Sequence, residues 1–99
     1  MEFEWDEEKR ISNIEKHDVD MVEAVLIFEG FTFIEQDPRD YGEVRWKATG
    51  IIDEECFILI FTDRGDARRL ISAWKGGRRD RAKYQARYSR RNSSDERSR

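Results

Sequence analysis

Hydrophobic and polar positions alternate with different periods along the chain, and the periods divide it into eight elements. EFEW, residues 2–5, alternates as a short strand does. Asp6 then offers an N-cap to DEEKRISNIEKH, whose first turn carries Glu7 and Glu8 and whose last carries Lys16 and His17, charges that suit the helix dipole at both ends. DVDMVEAVLIFEG predicts a second helix, capped by Asp18 or Asp20 and stopped by Gly30, with Val22, Val25, Leu26 and Phe28 or Glu29 tracing its faces.

From residue 31 the period falls to that of strands. FTFIEQ is one strand and ends in DPRDYGE, where Pro38 and Gly42 mark a turn. EVRWKATGI is the next, with Glu43, Arg45, Lys47 and Thr49 on one face and Val44, Trp46 and Ala48 on the other. After the DEE turn, CFILIF shows no alternation, which predicts a central strand covered on both faces. DRGD turns the chain into a last strand, ARRLISAW, and beyond Gly76 and Gly77 a helix is expected from about Arg78 to Tyr88. The order β-α-α-β-β-β-β-α predicts a single α+β domain over residues 1–88, a mainly antiparallel sheet with helices packed against it. SRRNSSDERSR, residues 89–99, lacks apolar side chains and is expected to be a disordered basic tail.

Composition agrees with one small, folded, highly ionic domain. Charged residues are 41% of the 99 residues, against roughly 25% in an average globular protein, while twelve aromatic side chains argue against general disorder. Cys56 has no second cysteine to pair with and lies in an apolar run, so it reads as a small buried hydrophobe. One Cys and one His do not make the usual four-ligand zinc site, and no metal or cofactor is expected. No signal peptide is seen and no apolar run approaches the roughly 20 residues a membrane span needs, so a cytoplasmic protein with no membrane partner is expected.

Charge is divided along the chain. Residues 1–63 hold six Lys and Arg against eighteen Asp and Glu, net −12, whereas residues 64–99 hold thirteen against four, net +9. Such a chain binds a polyanion through its basic third, folds that third against its own acids, or does both. In the last helix Arg78, Arg79, Arg81 and Lys83 sit where cations oppose the helix dipole, which points to an anion outside the helix. Interleaved Trp74, Tyr84 and Tyr88 add surfaces on which bases stack, making Trp74, Arg78, Arg79 and Tyr84 the expected RNA-binding set.

Two further groups carry candidate chemistry. His17 is the only side chain whose ordinary pKa, about 6.5, lies near neutrality, so it either transfers protons in a site or caps the carbonyls of its helix. Glu43 and Arg45 share a strand face by period two, an arrangement that suits a base beside a phosphate clamp and equally a surface ion pair.

Five blocks in one order resemble the BrnT family of type II toxins: FEWD (3–6), NIEKHDVD with a following EA (13–24), GEVRW (42–46), FTDRGDARRLISA (61–73) and RRDRAKY (78–84). The resemblance covers residues 2 to about 88. It implies a RelE-like fold, a metal-independent endoribonuclease that halts translation, and neutralisation by a BrnA-like antitoxin whose ribbon-helix-helix part contacts operator DNA, so that DNA is a partner only through the antitoxin. It adds Arg64, from the T-x-R-G block, and Arg69, from the R-I-I-S-A block, to His17, Glu43 and Arg45. Three departures stand out. Asp18 occupies a place usually held by Gly, Gly76-Gly77 with Asp80 replaces the commoner helix start, and Trp74 stands where relatives carry an Arg, which would leave Lys75, Arg78 or Arg79 to supply that cation. The resemblance therefore implies either a toxin ribonuclease, attenuated if Trp74 does not compensate, or a catalytically weakened member acting as co-repressor or RNA-binding subunit.

Overall fold

The computed structural model describes the backbone of residues 1–97 and the side chains of residues 1–91. Strands β1 (Glu2–Glu4), β2 (Phe33–Gln36), β3 (Trp46–Ile52), β4 (Glu55–Arg64) and β5 (Ala67–Lys75) form one sheet in the order β1-β5-β4-β3-β2. All neighbours are antiparallel except β1 and β5. Helix α1 (Glu7–His17), a 3₁₀ helix (Glu23–Glu29) and helix α2 (Arg78–Arg97) complete the expected α+β domain. None of the described helices is long and apolar enough to cross a membrane.

Local chemistry sets the boundaries. Asp6 Oδ1 accepts hydrogen bonds from the backbone N–H of Glu8 at 2.9 Å and of Lys9 at 3.3 Å, the N-cap expected for α1. The helix ends at Asp18, which adopts φ 55° and donates its N–H to Ile14 O. This left-handed conformation explains why Gly suits the position. β3 and β4 are joined by Asp53 and Glu54 at φ 49° and 69°, a two-residue hairpin turn of the type in which both residues need positive φ.

The second helix differs from the expectation in kind. Its deeply buried positions are Ala24 and Ile27, preceded by Met21, a spacing of three that a helix with three residues per turn places on one side. Val22 and Val25 are half-buried and pack against the margin of this core, whereas Leu26 is left exposed. Close packing on the sheet fixes this arrangement, because a Cβ at Gly50 would fall 2.5 Å from Ile27 Cβ, so only glycine lets the helix lie on β3 there.

The core lies between these helical segments and one face of the sheet, with Val19, Met21, Ala24 and Ile27 packed on Ala48, Leu59, Phe61, Leu70 and Ala73. The opposite face is half covered. At the Cys56 end α2 closes over it: Lys47 Nζ meets Asp80 Oδ1 at 3.1 Å, Tyr84 donates its hydroxyl to Phe31 O at 3.0 Å, and the Gly76 backbone sits against the Cys56 sulfur. Burial, with Asp80 nearby, raises the Cys56 pKa, as expected for a packed and unreactive thiol. α2 itself runs past the expected boundary at Tyr88 to Arg97, because its hydrogen bonds are internal and need no apolar anchor. The remainder of the 89–99 segment lies outside the described residues.

Candidate active site

The uncovered half of that face is shaped by a bulge. Ile60 pairs with Ser72 but Phe61 pairs with Leu70, leaving Ile71 as an extra residue in β5. Cross-strand partners share a face. Arg69, opposite Thr62, therefore joins Ser72 and Trp74, opposite Ile60 and Ile58, while Leu70 and Ala73 both enter the core. Strict alternation would have separated Arg69 from Trp74. Arg68 goes the other way, its guanidinium 4.9 Å and 4.5 Å from the ring centres of Phe28 and Phe61.

A cleft of about 470 Å³ opens on the uncovered half, with Ile60, Ile71 and Ser72 as its floor. His17 and Trp74 form one wall, their rings 6.0 Å apart and tilted by 44°. Arg39, Tyr41 and Arg45 form the other. The Arg45 guanidinium lies 3.9 Å from the centre of the Tyr41 ring and that of Arg39 lies 5.3 Å from it. Glu43 and Arg45 precede β3 instead of sharing its face, since the segment before Trp46 is held by its own side chains: Gly42 N–H donates to Asp40 Oδ1, and Gly42 takes φ 75°. The pair is nevertheless made, with Arg45 Nε 3.0 Å from Glu43 Oε2, and Arg64 Nη2 stands 3.9 Å from the other oxygen, Oε1. One carboxylate is thus flanked by two guanidinium groups at the rim of the cleft.

Asn13 seats α1 beside this site. It accepts from Ala73 N–H and Ser72 Oγ and donates to Ala73 O and Val19 O, all within 3.2 Å. Spaced by four, Asn13 and His17 lie on one side of α1, so the bond that fixes the helix also fixes the imidazole next to Trp74. Asp37 supports the opposite wall through Arg39 at 2.8 Å; that ion pair, opposed by burial, holds the Asp37 carboxyl below the usual carboxylate range.

The expected site residues divide accordingly. His17, Arg45 and Trp74 line the cleft, and Glu43 and Arg64 join Arg45 at its rim. Arg69 shares the face but is engaged by Glu4 at 3.7 Å. Lys75 does not join them: it lies opposite Phe57, pairs with Glu55 at 3.2 Å and borders a separate cavity beside Asp18 and Asp20. Arg78 and Arg79 are exposed at the start of α2 and outside the cleft. Tyr84 is 7% exposed and packs on Phe31 and Tyr88, so its ring is a core anchor and offers no face to a base. Arg39, Tyr41 and Ser72 were missed. The signal for the first two was an aromatic residue between arginines in the segment PRDYGEVR, read only as a turn.

Residues 5–80 match the protein family described as "Ribonuclease toxin, BrnT, of type II toxin-antitoxin system". Comparison with curated proteins gives no match.

Proposed function

Starting from the fact that the chain belongs to the BrnT family of ribonuclease toxins of type II toxin–antitoxin systems, we propose that the cleft between Trp74 and Tyr41 is its RNA-cleaving site and that cleavage needs no metal. The observation that carries this reading is the convergence of the single imidazole, His17, with Arg45 and Trp74 in one cleft, beside a carboxylate held by Arg45 and Arg64. An RNA phosphodiester entering there exchanges the Glu43 carboxylate for its own oxygens on the two guanidinium groups. Glu43 then takes the proton of the ribose 2'-hydroxyl, whose oxygen attacks phosphorus. The P–O5' bond breaks as His17 gives a proton to the leaving oxygen, which yields a 2',3'-cyclic phosphate and a free 5'-hydroxyl. Arg45, with Arg64 and Arg69, stabilises the extra negative charge of the pentavalent phosphate.

Trp74 stacks a base next to the reacting phosphate in place of the cation that relatives carry. Arg78 and Arg79 guide the strand from outside the cleft as surface charges. The chain acts in the cytoplasm, halts translation by cutting RNA, and is silenced by a BrnA-like antitoxin through which the pair reaches operator DNA.

The test is cleavage of total RNA by purified, antitoxin-free protein with excess chelator. Arg45→Ala should lower the rate by roughly 10²- to 10³-fold, the usual loss for one preorganised donor, with an unchanged circular dichroism spectrum. Trp74→Arg should raise it if the native chain is attenuated and leave it unchanged if the indole is productive. No cleavage by the native chain or by folded Trp74→Arg sinks the nuclease reading and leaves a co-repressor. Cleavage abolished by chelator alone sinks the metal-free mechanism.

A further inference from the structure

β2 is an edge strand whose only neighbour among the described residues is β3. The Asp37 N–H donates to Arg45 O at 2.8 Å, and the register sets Glu35 opposite Lys47 and Phe33 opposite Thr49. Hydrogen-bonded pairs alternate along an antiparallel ladder, so Ile34 and Gln36 turn their N–H and C=O groups outward. This edge carries two different flanks. On the α2 side, Lys83, Arg87 and Arg91 recur every four residues and so share one face of the helix. Lys83 and Arg87 stand 6.0 Å and 4.8 Å from the centre of the Phe33 ring, and Arg91 stands 5.6 Å from that of Phe31. On the other side Ile34, opposite Ala48 of the core face, is 40% exposed and Leu26 is 47% exposed.

Chemistry decides the occupant. Outward backbone donors and acceptors are matched by a peptide in extended form, and the rings that a nucleobase would need are already covered by the cations. A strand added here would alternate its side chains between the two flanks. We propose that the β2 edge receives an extended segment of the antitoxin in which acidic residues, facing Lys83, Arg87 and Arg91, alternate with apolar residues facing Ile34 and Leu26. The partner rests on the reading of this protein as one half of a toxin–antitoxin pair; the place and the pattern rest on the edge and its flanks.

Hydrogen exchange on the full chain, free and in complex with its cognate antitoxin, tests the proposal together with an Arg87→Glu/Arg91→Glu variant. The Ile34 and Gln36 amides should become protected in the complex. The variant, folded by circular dichroism, should bind the antitoxin at least about tenfold more weakly and with a smaller salt dependence, while RNA cleavage without antitoxin stays within about twofold of the native rate. Unprotected amides, or unchanged affinity in the variant, overturn the proposal alone. Loss of RNA binding with antitoxin affinity intact assigns the groove to RNA, and edge protection in a concentration-dependent homodimer assigns it to a second copy of the chain; each overturns it as well. Failure of the two proteins to associate at all overturns both this proposal and the partner reading beneath it.

Discussion

Asn13 does for the free part of β5 what a neighbouring strand would do, offering an acceptor and a donor to the same residue, Ala73. It is 6% exposed, so removing the amide leaves buried backbone groups without partners. Asn13→Ala should cost about 2–4 kcal/mol, from unsatisfied groups at roughly 1–3 kcal/mol each, measured by urea unfolding. Asn13→Asp should be no better, since it discards both donated bonds and buries a charge. Asp18→Gly should act in the opposite direction, raising stability by about 0.5 kcal/mol, because glycine takes the left-handed conformation without the cost borne by an L side chain. Sequence carried part of this picture. His17 was legible as the one imidazole and Glu43–Arg45 as a spaced pair, whereas Arg39 and Tyr41 were hidden because a turn's side chains have no period from which a direction can be read.

At the scale of elements, every strand and helix was legible in order, and the misreadings came from packing. The 3₁₀ helix is tightened by Ile27 lying on Gly50, a contact between residues far apart in the chain. β3 begins at Trp46 because side-chain bonds among residues 37–45 compete with the ladder. Helix α2 depends on Tyr84, which explains both its burial and why a basic, weakly amphipathic helix stays on the sheet. Tyr84→Phe should lose about 0.5–1.5 kcal/mol with the hydroxyl bond to Phe31 O, and Tyr84→Ala about 3–5 kcal/mol. In hydrogen exchange, α2 amides of Tyr84→Ala should lose protection while β4 keeps its own.

For the whole molecule, the two halves of the charge map meet in the fold. Glu4–Arg69, Glu35–Lys83, Glu43–Arg64, Glu55–Lys75 and Asp63–Arg68 each join an acid of residues 1–63 to a cation of residues 64–99. Three better-sheltered carboxylates set the acid limit. Asp20 is held below its ordinary value of 3.8 by the Arg10 guanidinium, and Asp37 by that of Arg39. Burial pushes Asp80 upward, yet the Gly77 N–H and Lys47 more than offset it. A carboxyl with a depressed pKa in the folded state favours folding above its unfolded pKa and loses that contribution as pH falls through the folded value. Urea midpoints should therefore hold steady from about pH 7 to 5 and fall below about pH 4, and Asp37→Asn should flatten that fall while lowering stability at neutral pH. The bulge at Ile71 has a consequence of another kind, for changes of chain length. It is one unit of phase in a strand: everything before it is registered to one parity and everything after it to the other. Deleting Ile71 alone would leave net charge and every cross-strand pair untouched, because Arg69, Leu70, Ser72, Ala73 and Trp74 would then alternate regularly on the faces they already hold. Side chains along β5 can be exchanged one at a time, and at this one place its length can also shorten by a single codon without turning the strand over.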